Sequence, residues 1–102
     1  MTSSRARIQI PRDRVVEFCH RNHIRRLALF GSVLRDDFTS ASDVDMLVEF
    51  EPGKTPGFAF FRMQDELSEI IGRRVDLNTP KELSKYFRDE VLAEAEDLYV
   101  AA

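Results

Sequence analysis

Tryptophan is absent from this 102-residue chain, cysteine occurs once, and histidine and tyrosine occur twice each. A single cysteine excludes an internal disulfide and fits a reducing compartment. Glycine and proline number four each, which excludes a collagenous or low-complexity chain. No apolar run approaches the ~20 residues that span a bilayer. The polar, basic residues 1–7 have no apolar segment behind them, so no secretory signal is expected and the cytoplasm is the expected location. An excess of positive charge is missing too. The formal net charge is −3, which argues against a non-specific nucleic-acid binder with its basic surface. Zinc lacks its ligands: Cys19, His20 and His23 are close in sequence, but structural zinc wants four ligands and there is no second Cys/His cluster.

What remains is ordinary globular material, 43% hydrophobic and 32% charged. The length allows one domain with one core. Residues 1–7 read as a loose tail and residues 8–102 as a single domain. From Pro11, a good first-turn residue, Val15, Phe18 and Cys19 recur at helical spacing, and Asn22 ends the helix. Ile24–Phe30 reads as a strand and Asp43–Phe50 as a second. Phe58–Ile71 is an amphipathic helix with Phe60, Met63, Leu67, Ile70 and Ile71 on its buried stripe and Gly72 as its C-terminal cap. Phe58 and Phe61 lie beside that stripe and are expected to join the core. A third strand follows over Arg73–Asn78. Thr79-Pro80-Lys81-Glu82 is a capping box, after which Leu83, Phe87, Val91 and Ala95 continue a helical stripe. Glu90, Glu94, Glu96 and Asp97 then form a solvated acidic face. The expected order is helix, strand, helix, strand, helix, strand, helix, an α/β layer around a small sheet.

Chemistry concentrates in one stretch. The first strand ends in Gly31-Ser32, and ten residues later the second opens with Asp43-Val44-Asp45. Side chains alternate along a strand, so Asp43 and Asp45 share a face, with Cα atoms roughly 6.6 Å apart. Two adjacent carboxylates repel and resist desolvation, so stability gives a fold little reason to keep them. They are close enough to share one or two cations. A Gly-Ser turn that starts a short helix permits close backbone approach and aims free N–H groups outward, a natural phosphate site. Ser32 alone is equally an N-cap; the acid pair at the right distance favours the phosphate reading. Arg35, one turn further on, reaches either phosphate or the neighbouring Asp36 and Asp37. Gly53-Lys54-Thr55 imitates the end of a Walker A loop. The glycine required five residues earlier is Val48, and Pro56-Gly57 would break the following helix. A P-loop is excluded.

Gly31-Ser32, ten residues, then Asp43-x-Asp45 resembles the signature of the DNA polymerase β-like nucleotidyltransferase superfamily. Those four positions match by chance in about one chain in a thousand of this length. The likeness runs from Phe30-Gly31-Ser32 to Asp76 and is greatest to the minimal nucleotidyltransferases, the antitoxin partners of HEPN-domain toxins. Asp36 stands where related chains often carry glycine after the arginine. The resemblance implies a polymerase β palm-like fold with a mixed sheet. It implies nucleotidyl transfer with two Mg²⁺ ions, Asp43, Asp45 and Asp76 being the catalytic and metal-holding acids. Gly31, Ser32 and Arg35 would bind the nucleotide, ATP. The partner implied is a HEPN RNase toxin whose tyrosine receives AMP, since a chain this short has no room for an acceptor domain. Two alternatives stand beside this: an antitoxin that inhibits by binding alone, and the catalytic half of a small-molecule nucleotidyltransferase.

Overall fold

The computed structural model describes residues 8–101; the tail expected over 1–7 lies outside them. Its elements are α1 (Arg12–Arg21), β1 (Ile24–Phe30), β2 (Val44–Phe50), α2 (Ala59–Ile71), β3 (Val75–Asn78), α3 (Arg88–Glu94) and β4 (Glu96–Val100). Single 3₁₀ turns at Gly31–Leu34 and Pro80–Glu82 stand between them. The sheet runs β3-β2-β1-β4. β1 lies antiparallel to both β2 and β4, whereas β2 and β3 are parallel. The sheet is therefore mixed, as the resemblance implied. Parallel pairing of β2 with β3 requires a crossover, and α2 provides it.

One face of the sheet makes the core. Leu27 and Leu29 of β1, Val44, Met46 and Val48 of β2, and Val75 and Leu77 of β3 pack with Val15, Phe18 and Cys19 of α1 and Met63, Leu67 and Ile70 of α2. This follows from the alternation read in each strand and the helical stripes read in α1 and α2. Burial pushes the Cys19 thiol up to about 12, so it stays protonated and behaves as a small apolar side chain. Asn22 ends α1 as expected, its side-chain amide donating to Phe18 O at 2.8 Å, and Gly72 closes α2 in the left-handed region at φ 78°. α2 also seals the β3 edge. Val75 N–H donates to Ser68 Oγ at 3.0 Å and Leu77 N–H to Gln64 Oε1 at 2.9 Å, so these donors of an edge strand are already satisfied.

The other face carries Arg26, Ala28 and Phe30 opposite Glu49, Leu47 and Asp45. Arg26 crosses this face, donating to Asp97 at 2.7 Å and reaching Glu49 at 3.5 Å. Ala28 and Leu47 are buried here, and the Pro80–Glu82 turn packs on β2.

The C-terminal third departs from the expected long helix. The capping box is real: Thr79 N–H and hydroxyl both reach Glu82 Oε1, at 3.4 and 3.1 Å. It opens only the Pro80–Glu82 turn, after which Leu83 is extended. α3 spans seven residues with none fully buried, and Glu96–Val100 is a strand rather than a helical tail. Asp97, expected in water on a helix, instead meets Arg26 across the sheet. The stripe of Leu83, Phe87, Val91 and Ala95 is helical only around Val91, within α3; Leu83 and Ala95 are extended, and beyond Ala95 the chain pairs with β1 as a strand, which β-branched Val100 and aromatic Tyr99 favour. Phe58 and Phe61 do not join the core either; they are 92% and 65% exposed. No helix among the described residues is long and apolar enough to cross a membrane.

Leu67→Ala should cost about 2–5 kcal/mol in urea unfolding, because Leu67 is fully buried between α2 and the sheet. Phe58→Ala should stay within about 0.5 kcal/mol. Equal losses at the two positions would contradict this placement of the core.

Candidate active site

The site lies at one end of the sheet, where β1 finishes and β2 and β3 begin. Antiparallel pairing brings Phe30, the last residue of β1, opposite Asp45, so the turn that follows lands beside the second carboxylate. Parallel pairing places Asp76 directly next to Asp45, with neighbouring strands ≈ 4.8 Å apart. Asp43 stands one residue before β2. The three aspartates predicted from the sequence are thus gathered by strand register.

Their charges are felt at Asp45. Burial, then Asp76, then Asp43 raise its pKa above the ordinary carboxylate value, while Arg35 pulls it the other way. Asp43 is exposed on the rim, 3.9 Å from the Arg74 guanidinium. Among the described residues no three His, Cys, Asp or Glu side chains form a ready-made metal cage.

Gly31 is fixed by this packing. Its φ is +77°, and a Cβ built there would overlap Asp45 Oδ2. Any larger residue would therefore be strained in its backbone and would displace a carboxylate. The Gly31–Leu34 segment is a four-residue 3₁₀ turn capped by Phe30 rather than by the Ser32 side chain. This corrects the expected helix with Ser32 as its cap. A single turn has little macrodipole, so close backbone approach remains as the feature favouring an anion here. Ser32 O accepts the Arg35 N–H at 2.9 Å, which makes Arg35 the residue that ends the turn rather than one inside a helix. Its guanidinium is exposed, 3.7 Å from Asp37.

A cavity of about 310 Å³ joins these parts, lined by Phe30, Gly31, Arg35 and Asp45 from the sheet end and by Phe87, Glu90, Val91 and Glu94 from the α3 segment. Sequence reasoning missed that second wall, since Phe87 and Val91 read as core and the glutamates as solvated. Arg74, two positions before Asp76, stands beside Asp43 rather than beside Asp76. Glu49 shares the acid face by parity but lies four residues along β2, engaged with Arg25 at 2.7 Å and Arg26 at 3.5 Å. It belongs to the far end of the sheet.

A small mixed sheet that crowds acids around a Gly-Ser turn defines the minimal nucleotidyltransferase class. A solved structure provisionally named as one superposes with TM-score 0.69 at 37% identity, covering 82% of this chain and 85% of that one. The chain belongs to the nucleotidyltransferase domain family, whose model matches residues 12–98. A Methanocaldococcus jannaschii protein provisionally named a protein adenylyltransferase is 32% identical, across 83% of this chain and 90% of its own length. The protein adenylyltransferase MntA of Thermococcus cleftensis is 34% identical, across 76% of this chain and 78% of its own. A tri-AMPylated Shewanella oneidensis HEPN toxin in complex with its MNT antitoxin gives a match of TM-score 0.62 at 18% identity, covering 88% of this chain and 70% of that one; this is a likeness of fold.

Because the folded state raises the Asp45 pKa above its unfolded value of 3.8, the ionised carboxylate works against folding. Its penalty is absent below pH 3.8 and grows as the pH rises through the folded value. Asp45→Asn should therefore raise the Tm of the free protein at pH 7, and the gain should shrink on acidification toward pH 4. A gain independent of pH, or a loss at pH 7, would contradict the electrostatic account.

Proposed function

We propose that this chain is a protein adenylyltransferase that acts as the antitoxin of a HEPN RNase toxin, transferring AMP from ATP to a tyrosine hydroxyl of that toxin. The observation that carries the reading is the register that sets Asp76 beside Asp45 with Gly31 closed against the same carboxylate. The relatives named as adenylyltransferases and the fold shared with a toxin–antitoxin complex support it.

In the reaction the acceptor oxygen bonds to the α-phosphorus, the bond to the bridging oxygen breaks, and pyrophosphate leaves. The donor set at the site is all oxygen, with neither cysteine nor histidine, which fits a hard cation. Mg²⁺ is ordinarily held by one or two carboxylates completed by substrate phosphates, so the absence of a preformed cage is consistent with it. A cation also relieves the repulsion that raises the Asp45 pKa. Asp43 and Asp45 would hold it, with Asp76 contributing to a second site. When bound, Mg²⁺ supplies charge neutralisation at the phosphates.

The chain's own groups do the rest. Gly31 and Ser32 seat the phosphates by close backbone approach, and Arg35 turns from Asp37 toward their charge. Asp76 accepts the proton of the attacking hydroxyl. Arg74 is near enough to Asp43 to exchange one anionic partner for another. Catalysis is positioning and electrostatic stabilisation with no covalent enzyme intermediate. The acceptor is held by docking of the partner protein, which places its hydroxyl over the acids.

Incubating the toxin with this protein, ATP and Mg²⁺ should add adenylate mass to a toxin tyrosine and suppress its RNase activity. The Asp43→Ala, Asp45→Ala double variant, folded by circular dichroism, should do neither. If that variant neutralises the toxin as well as the parent does, inhibition works by binding and the enzymatic reading fails. Asp76→Asn should lower the transfer rate by roughly a hundredfold or more, the range of general-base contributions, and leave Mg-ATP affinity within about twofold. Transfer at the parent rate would reduce Asp76 to an edge-strand aspartate.

A further inference from the structure

The α3 wall of the cavity is built with more care than a surface loop needs. Arg88 donates from Nε to Pro80 O at 2.8 Å and from Nη2 to Leu83 O at 3.0 Å, tying the start of α3 back to the Pro80–Leu83 segment. Phe87 N–H donates to Ser84 O at 3.1 Å, and Phe87 O accepts from Val91 N–H at 2.8 Å. The backbone that presents Phe87 is thereby bonded on both sides. The ring nonetheless stays 58% exposed and lines the same cavity as Gly31, Arg35 and Asp45, with Phe30 and Val91 as further apolar lining.

The two walls of that cavity differ. Gly31, Arg35 and Asp45 stand on the sheet side, where the reading above puts the phosphates and their cation, and Phe87 and Val91 stand with Glu90 and Glu94 on the α3 side. A nucleoside triphosphate with its phosphates at Gly31 turns its uncharged base toward α3. We propose that Phe87 is the platform on which the nucleobase stacks. The proposal rests on the nucleotide reading above and assigns the part of the ligand that Gly31, Ser32 and the aspartates do not touch. A ring carried on a bonded backbone offers its π-face at a defined place in the cavity, and stacking there orients the ribose and α-phosphate toward the acids. Stacking uses the π-face that every base has, so Phe87 strengthens binding of ATP and GTP alike and does not choose between them.

Calorimetry with three probes tests this: Mg-ATP, Mg-GTP and magnesium tripolyphosphate, which has the charge without the base. Phe87→Ala should weaken ATP and GTP by about tenfold, within the range found for removing an aromatic platform, and leave tripolyphosphate unchanged. Phe87→Leu should resemble the alanine variant, and Phe87→Tyr the parent. The chain has no native tryptophan, so Phe87→Trp provides a single, selectively excited tryptophan whose emission ATP should quench and tripolyphosphate should not. The proposal is overturned if Phe87→Ala binds ATP as the parent does, or loses ATP and tripolyphosphate equally. If the alanine variant does not fold, the tryptophan variant decides: no quenching by bound ATP rejects the platform. Failure of the parent to bind both ATP and tripolyphosphate would instead remove the nucleotide reading itself, and the platform with it.

Discussion

Mutual repulsion among Asp43, Asp45 and Asp76 is the constraint around which the domain is arranged. Like charges at neighbouring strand positions oppose folding, and a packed core opposite them is what holds them in place. Val44 and Met46 point into that core on either side of Asp45, and Val75 and Leu77 do so on either side of Asp76. Asp45 and Asp76 are thus each anchored by apolar neighbours facing the other way. The core supplies the stability that the acid cluster removes, as is common where function requires a strained or charged site.

The same constraint explains the local backbone. Gly31 turns in the left-handed region at φ +77°, which strains any other residue, and a Cβ there would also push Asp45 Oδ2 aside. The strand β3 is short and lies at the edge, yet it must hold Asp76 in register with Asp45. α2 secures it with side-chain acceptors from Gln64 and Ser68. At the opposite end of the sheet, charges are paired instead of crowded: Arg25 and Arg26 meet Glu49, and Arg26 also meets Asp97. One end of the sheet is electrostatically satisfied and the other is left with a surplus of negative charge. The second is where the proposed cation and phosphates would lie.

Much of this was legible in the residues, for identifiable reasons. Strand alternation set Asp45 outward between the core residues Val44 and Met46, and helical stripes gave α1 and α2, because burial on one side writes a strong period into the sequence. The placement of Asp76 was not available from spacing. It depends on β3 pairing in parallel beside β2 in the register that sets Asp76 against Asp45, a non-local fact; the resemblance implied the third acid and a mixed sheet but not that register. In the C-terminal third the helical spacing marks α3 but not its limits. Glu96–Val100 pairs with β1 instead of extending the helix, and Asp97 meets a partner 71 residues away in Arg26, a non-local contact. Phe58 and Phe61 were misplaced for a related reason: periodicity identifies the centre of a buried stripe, and residues at its margin are decided by what packs beside them. Phe87 and its cavity wall depend on Arg88 binding two carbonyls, a contact with no sequence period at all.

The central claim is that the three aspartates act as one electrostatic unit whose repulsion a bound cation relieves. Carboxyl-carbon NMR of the protein, following Asp45 through an acid titration, tests it most directly. In the free protein Asp45 should titrate above the ordinary aspartate range, and its pKa should fall in Asp76→Asn. Saturating Mg²⁺ with a non-hydrolysable ATP analogue should lower it in the parent as well. An Asp45 pKa that is ordinary in the free protein, or that neither the Asp76 substitution nor the magnesium nucleotide moves, would contradict the account.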